Sequence, residues 1–134
     1  MKRHIVLLLA VLACAMLVAT GCRKGAPVLD FESQPMPQTS AKLTDAKIKD
    51  AMIRAGTSQG WQVVPEKQAR TLRATLHNRT HVAVATITYT LKEFTIRYND
   101  STNLEYENGV IHPNYNRWVK NLHKAINSEL ARIQ

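Results

Sequence analysis

The chain has 134 residues, 45% of them hydrophobic and 21% charged, with five Gly and five Pro. These values exclude collagen-like and low-complexity chains and allow one domain rather than two. Lys and Arg total 18 against 10 Asp and Glu, a formal +8, and much of the apolar content is gathered at the N-terminus.

Residues 1–22 read MKRHIVLLLAVLACAMLVATGC. Lys2 and Arg3 form a short basic start, and an uncharged run follows from Ile5 to Ala19. As a helix that run reaches roughly 23 Å, short of a ~30 Å hydrocarbon core. A basic start, a short apolar run and small residues before a cut site are the layout of a secretory signal. Ala19-Thr20-Gly21-Cys22 resembles the lipobox of bacterial lipoprotein precursors, with Ala19 where the family usually has Leu. The resemblance implies a signal peptide at 1–21, cleavage before Cys22, and a diacylglyceryl group on the Cys22 thiol. Arg23, where the family's inner-membrane members carry Asp, implies the outer membrane. Each buried methylene contributes about 0.8 kcal/mol, so two or more acyl chains hold a protein on a bilayer stably. Cys14 leaves with the signal, and the mature chain is expected to carry neither a free thiol nor a disulfide.

Residues 22–43 then read as the lipidated Cys and a flexible tether. Pro27, Pro35 and Pro37 are mixed with Gly, Ser and Gln, without an apolar period. Val28, Leu29 and Phe31 are the exceptions, able to dock back onto the body. Loss of Lys2 and Arg3 with the signal leaves +6 on the mature chain. The extracytoplasmic address argues against nucleic acid as partner. Anionic lipid headgroups, cell-wall carboxylates or an envelope protein fit better.

The body, residues 44–134, opens with a helix capped by Thr44 and started by Asp45, with Ile48, Ala51, Met52 and Ala55 in one stripe. Gly56 weakens this helix, and Gly60 closes it or the turn after it. Trp61 to Val64, ended by Pro65, predicts an edge strand. Ala69 to His77 and Glu93 to Asn99 alternate as half-buried strands. His81 to Thr90 is rich in Val, Ile, Thr and Tyr, but Val82 and Val84 point opposite to Ile87 and Tyr89. That implies a bulge or two partly covered faces. Pro113 opens a last helix, with Tyr115, Trp118, Val119, Leu122, Ile126, Leu130 and Ile133 within one arc. The predicted fold is an α+β two-layer sandwich: an antiparallel sheet of three to four strands with both helices on one face.

Chemistry is sparse. There is no G-x-S-x-G elbow, no metal site (His77 and His81 flank a turn, but two imidazoles do not hold a metal), and no cofactor motif. Asn78-Arg79-Thr80 and Asn99-Asp100-Ser101 match a glycosylation sequon but read as accidents behind a bacterial lipobox. Two surfaces remain. Thr71, Arg73, Thr75, Thr95 and Arg97 are expected to project together, with Thr86 or Thr88 beside them, as a basic, hydroxyl-rich platform for an anionic partner. Asn99, Asn103, Asn108, Asn114, Asn116 and Asn121 are interleaved with Tyr98, Tyr106, Tyr115 and Trp118 and lie beside His112. Amides next to aromatic faces suit sugars or peptide backbones. The spacing Asn-Leu-x-Tyr (Asn103 to Tyr106), then Ile-His-x-x-Tyr-Asn-x-Trp-Val-x-x-Leu (Ile111 to Leu122), resembles small uncharacterised lipoproteins of Gram-negative bacteria. The likeness spans about residues 60–130, implies the envelope class, and carries over no catalytic residue.

The expectation is a non-catalytic binding or assembly module, with Arg73, Arg97, Asn99, Asn103, Tyr106, His112 and Asn116 as its ligand-binding candidates. A small wall or lipid hydrolase using His112, Asp100 or Glu105 is the competing reading. A surface-exposed structural lipoprotein or antigen is the third.

Overall fold

The computed structural model describes residues 25–39 and 41–134. The signal peptide, its cut site and the lipidation candidate Cys22 lie outside the described residues. In chain order the elements are β1 (Ala26–Pro27), β2 (Phe31–Pro35), α1 (Asp45–Ser58), β3 (Trp61–Pro65), β4 (Thr71–Asn78), β5 (His81–Tyr89), β6 (Glu93–Thr102), β7 (Val110–Ile111) and α2 (Pro113–Ala131). Five strands form one antiparallel sheet in the order β2-β6-β5-β4-β3, and β1 pairs with β7 in a separate two-stranded ribbon. The protein is α+β, and its sheet is larger than the three to four strands predicted.

The fifth strand of that sheet, β2, and β1 of the ribbon come from the segment read as a flexible tether. Residues 26–36 are instead bound to the body. Phe31 of β2 pairs with Ile96 of β6 and lays its ring flat on His123 of α2, with centroids 4.0 Å apart. Gln34 brings its Oε1 to 3.1 Å from His123 Nε2, and Met36 is buried. The linker-like composition hid a strand because of where its prolines sit. Pro27 and Pro35 occupy strand ends, and Pro35 ends an edge strand, where a missing N–H costs little. Ser33 forms a bulge with φ of 44°, and such an irregular edge resists pairing with another chain.

Thr44 caps α1, its hydroxyl accepting from the Lys47 N–H at 3.3 Å. Ile48, Ala51, Met52, Ala55 and Gly56 are its buried side. Gly56 is more than a weak point: a Cβ there would drive into a methyl of Val63, with Val63 Cβ at 3.4 Å and Trp61 Cβ at 3.6 Å. The glycine therefore lets α1 approach β3 closely. Gly60, at φ of 80°, turns the chain into β3.

The meander β3–β6 has regular alternation on its buried side: Trp61 and Val63; Leu72, Ala74 and Leu76; Ala83, Ala85, Ile87 and Tyr89; Phe94 and Ile96. The mixed parity of β5 resolves simply. Val82 and Val84 belong to the other set of side chains, half-buried between neighbours, and the bulge lies in β6, where the register slips between the Val84 and Ala85 pairings to leave Asn99 extra.

His112 caps α2 with Pro113 at its first turn. Tyr115, Val119, Leu122, Ile126 and Leu130 are buried along it, and Ile133 just beyond is 7% exposed. Trp118 lies at the margin of the core. Among the described residues no helix is long and apolar enough to cross a membrane.

Candidate functional site

The register brings the two platform arginines into one row: Arg73 pairs with Thr86, and Thr86 with Arg97. Thr75, Val84 and Asp100 form the next row, and His77, Val82 and Thr102 the one after. On the other side Thr71, Thr88 and Thr95 share a row, so the expected residues do line one face around Thr86. Thr71 is nevertheless corrected as a platform member: it is buried, its hydroxyl donating to the Ala69 carbonyl at 3.2 Å. Asn99 joins this face, its Nδ2 donating to Thr86 Oγ1 at 2.8 Å.

The platform is not free positive charge. Arg97 holds Glu32 by two parallel bonds, Nε to Oε1 at 2.6 Å and Nη2 to Oε2 at 2.8 Å, the fork geometry that guanidinium favours. The hydrogen bonds from Arg97 hold the Glu32 carboxyl below its usual range, and Arg97 is correspondingly pushed up by Glu32. Arg73 holds Glu66 at 2.7 Å. A surface whose cations already have carboxylates presents a charge-balanced pattern rather than a polyanion site. Any anion drawn to Arg73 or Arg97 would have to compete with these carboxylates. Glu32 was missed because it sits in the apparent linker, and Glu66 because it follows a strand end. No spacing in the sequence links Glu32 to Arg97, whereas Glu66 meets Arg73 across the β3–β4 hairpin.

The Asn- and Tyr-rich stretch separates into parts with structural duties. Asn103, at φ of 56°, donates from Nδ2 to the Thr80 carbonyl at 2.7 Å, fixing the β4–β5 turn to the end of β6. Asn108 also adopts positive φ, at 49°, a conformation Asn tolerates better than most residues. Asn116 clamps the N-terminal segment: its Oδ1 accepts from the Leu29 N–H at 2.9 Å and its Nδ2 donates to the Pro27 carbonyl at 2.8 Å. Tyr106 stacks on Tyr98 at 4.2 Å, and Tyr98 meets Tyr115 edge-on at 5.4 Å. Tyr106 is 44% exposed at the outer end of this ladder. At its inner end the buried Tyr115 hydroxyl has no partner among the described residues, and burial pushes its ionisation far up.

The hydrolase candidates have similar employment. Nδ1 of His112 accepts from the Asn114 N–H at 3.2 Å, so the neutral ring carries its proton on Nε2. Asp100 Oδ1 accepts from the Ser101 N–H at 2.8 Å. Glu105 is exposed, at φ of 53°. The neighbour that sequence reasoning missed is His81, whose ring lies 6.3 Å from those of both His112 and Trp118. Its Nδ1–H donates to the Asn103 carbonyl at 2.6 Å. Among the described residues no group of three or more His, Cys, Asp and Glu could hold a metal ion. A depression of about 380 Å³ lies elsewhere, lined by Met36, Leu43, Leu91 and Lys92 among others, and includes none of the candidate residues.

Comparison with protein-family models, with curated proteins and with solved structures gives no match.

Proposed function

We propose that the protein is a lipid-anchored lipoprotein of the bacterial envelope whose body is a non-catalytic binding or assembly module. In this reading Cys22 carries the lipid and Arg23 directs the protein to the outer membrane. Both helices lie on one face of the five-stranded sheet, and the other face meets the partner. The observation that carries the proposal is the row Arg73–Thr86–Arg97, closed at its ends by Glu66 and Glu32. Five strands at ~4.8 Å spacing give a face roughly 20 Å across. It mixes hydroxyls, fixed charges of both signs and the side chains of Val64 and Val84. That mixture resembles a protein–protein interface more than a site for a polyanion, because both arginines would have to abandon carboxylates to grip phosphate or uronate. An envelope protein is therefore the preferred partner over cell-wall polymer or lipid headgroups.

The test is site-specific photocrosslinking in intact cells. A photoreactive side chain in place of Thr86 is expected to capture a discrete envelope protein. The same group in place of Lys120, exposed on α2, is expected not to capture it, and Arg97→Glu is expected to abolish the adduct. Equal adducts from both positions, or none from either, would count against the sheet face. Mass spectrometry of the native protein tests the anchor itself, since an unacylated Cys22 is incompatible with it.

A further inference from the structure

We infer that the body is held directly on the bilayer in one orientation, with the end that carries β1, β7 and the Leu104–Gly109 loop against the lipid headgroups. This rests on the lipid-anchor reading of Cys22. Little chain lies between the anchor and the first fixed residue. Gly25 is already packed: a Cβ there would lie 2.5 Å from Val110 Cγ1 and 3.2 Å from the Ile111 carbonyl oxygen. The next residues are tied down as well. Ala26 pairs with Ile111, the Val28 N–H donates to the Gly109 carbonyl at 2.8 Å, and Asn116 clamps Pro27 and Leu29.

Three steps along the chain separate Cys22 from Gly25. Fully extended they span about 11 Å. The tether suggested by composition would reach roughly 25 Å as a coil and let the body tumble freely. An 11 Å leash is shorter than the body itself, since β5 alone, nine residues long, measures about 30 Å. The attachment end therefore cannot leave the headgroup region, while the opposite end, with the β3–β4 and β5–β6 turns, meets it only when the body tips over onto its side.

The attached end offers a mixed surface. Tyr106 is exposed there between the exposed carboxylates of Glu105 and Glu107, which anionic headgroups repel. The short leash rather than surface charge therefore holds this end at the bilayer. Tyr106 is among the few large apolar side chains left exposed. It belongs to the loop that leads into β7, and an aromatic ring with a polar tip suits the headgroup level. Arg23 and Lys24 within the leash add two cations beside anionic headgroups. Confinement raises the local concentration of this surface over its own bilayer, so individually weak contacts suffice.

The experiment uses the full acylated protein in vesicles of phosphatidylethanolamine and phosphatidylglycerol doped with nitroxide-labelled lipid. A fluorophore is attached at Glu107→Cys on the near end or Gln68→Cys on the far end, both exposed positions. Quenching is expected to be several-fold stronger at 107 than at 68. A Gly/Ser insertion between Lys24 and Gly25 is expected to lower the quenching at 107 several-fold. Equal quenching at the two positions, in a sample whose mass shows an acylated Cys22, overturns the orientation alone. Quenching at 107 that survives the insertion overturns the leash as its cause. An unacylated Cys22 overturns the anchor and the orientation together.

Discussion

Replacing Gly56 by Ala sets two physical effects against each other. Inside a helix Ala is favoured over Gly by about 1 kcal/mol, so helix propensity alone predicts a more stable protein. Packing predicts the reverse. The new Cβ would intrude on a Val63 methyl, and Val63 is β-branched, held to few rotamers and only 7% exposed. Overpacking of this kind costs about 1–3 kcal/mol. The overlap is well inside ordinary contact, which places the cost at the upper end and leaves a net loss of about 2 kcal/mol after the propensity gain. Val63→Ala alone should cost about 1–2 kcal/mol through lost burial. Combined, the two substitutions should cost less than their sum by at least ~1 kcal/mol, because the methyl added to the helix then occupies space that the valine side chain vacates. Urea unfolding followed by Trp fluorescence measures all three, on the chain without residues 1–21 and with Cys22→Ser. A Gly56→Ala protein as stable as its parent, or strict additivity in the pair, would refute the close approach of α1 to β3.

Three further outcomes follow from single contacts. Burial lowers the His123 pKa from its usual 6.5; the unfolded chain therefore takes up the proton first, and stability is full above pH 6.5 and falls as pH drops through the depressed native value. Urea midpoints at near-neutral and mildly acidic pH should show that fall in the parent and a shallower one in His123→Gln; parallel slopes would exclude His123 as its source. Tyr115→Phe removes a buried hydroxyl without a partner among the described residues and should be neutral or stabilise by about 1 kcal/mol, whereas a loss above ~1 kcal/mol in thermal unfolding would reveal a partner for it. Asn116→Ala deletes both bonds to the N-terminal segment and should cost about 1–3 kcal/mol; hydrogen exchange at the Leu29 amide should accelerate, and unchanged protection there would show that β1 and β2 hold the segment unaided.

The parts of the fold legible in the sequence were those written in one segment's own periodicity. The stripe of α2, the Thr44 cap and the alternation of β4 needed no distant partner to be read, and each is present. What escaped was specified by contacts across the chain. β2 has two prolines near it and little alternation, and it exists because β6 offers a free edge and His123 offers a flat ring for Phe31. The candidate site followed the same rule. That Arg73, Thr86 and Arg97 share a row could be anticipated from strand parity, but the Arg97 partner Glu32 could not, since a salt bridge between residues 65 apart leaves no local mark. Glu66 lies only across the β3–β4 hairpin from Arg73 and needed the register of that turn. Asn-rich composition suggested a ligand where left-handed turns and a strand clamp account for Asn103, Asn108 and Asn116.

Where the positive charge sits bears on the choice of partner. All five ion pairs among the described residues are made by arginines: 54, 70, 73, 97 and 132. These five arginines share four carboxylates, Arg54 and Arg132 both meeting Glu129. Their charge is therefore largely offset, and much of the excess positive charge resides on lysines such as Lys42, Lys67, Lys92 and Lys120, all exposed. Lysines scattered in this way keep a protein soluble and attract anions only diffusely. The sheet face differs, because its charges are locked in direction by bidentate or short pairing and flanked by threonines in register. A polyanion would be drawn to the lysines over a broad area, with steep loss in salt. Under the proposed binding role, a folded partner with its own fixed charges would match the sheet row in register, which a diffusely held polyanion would not.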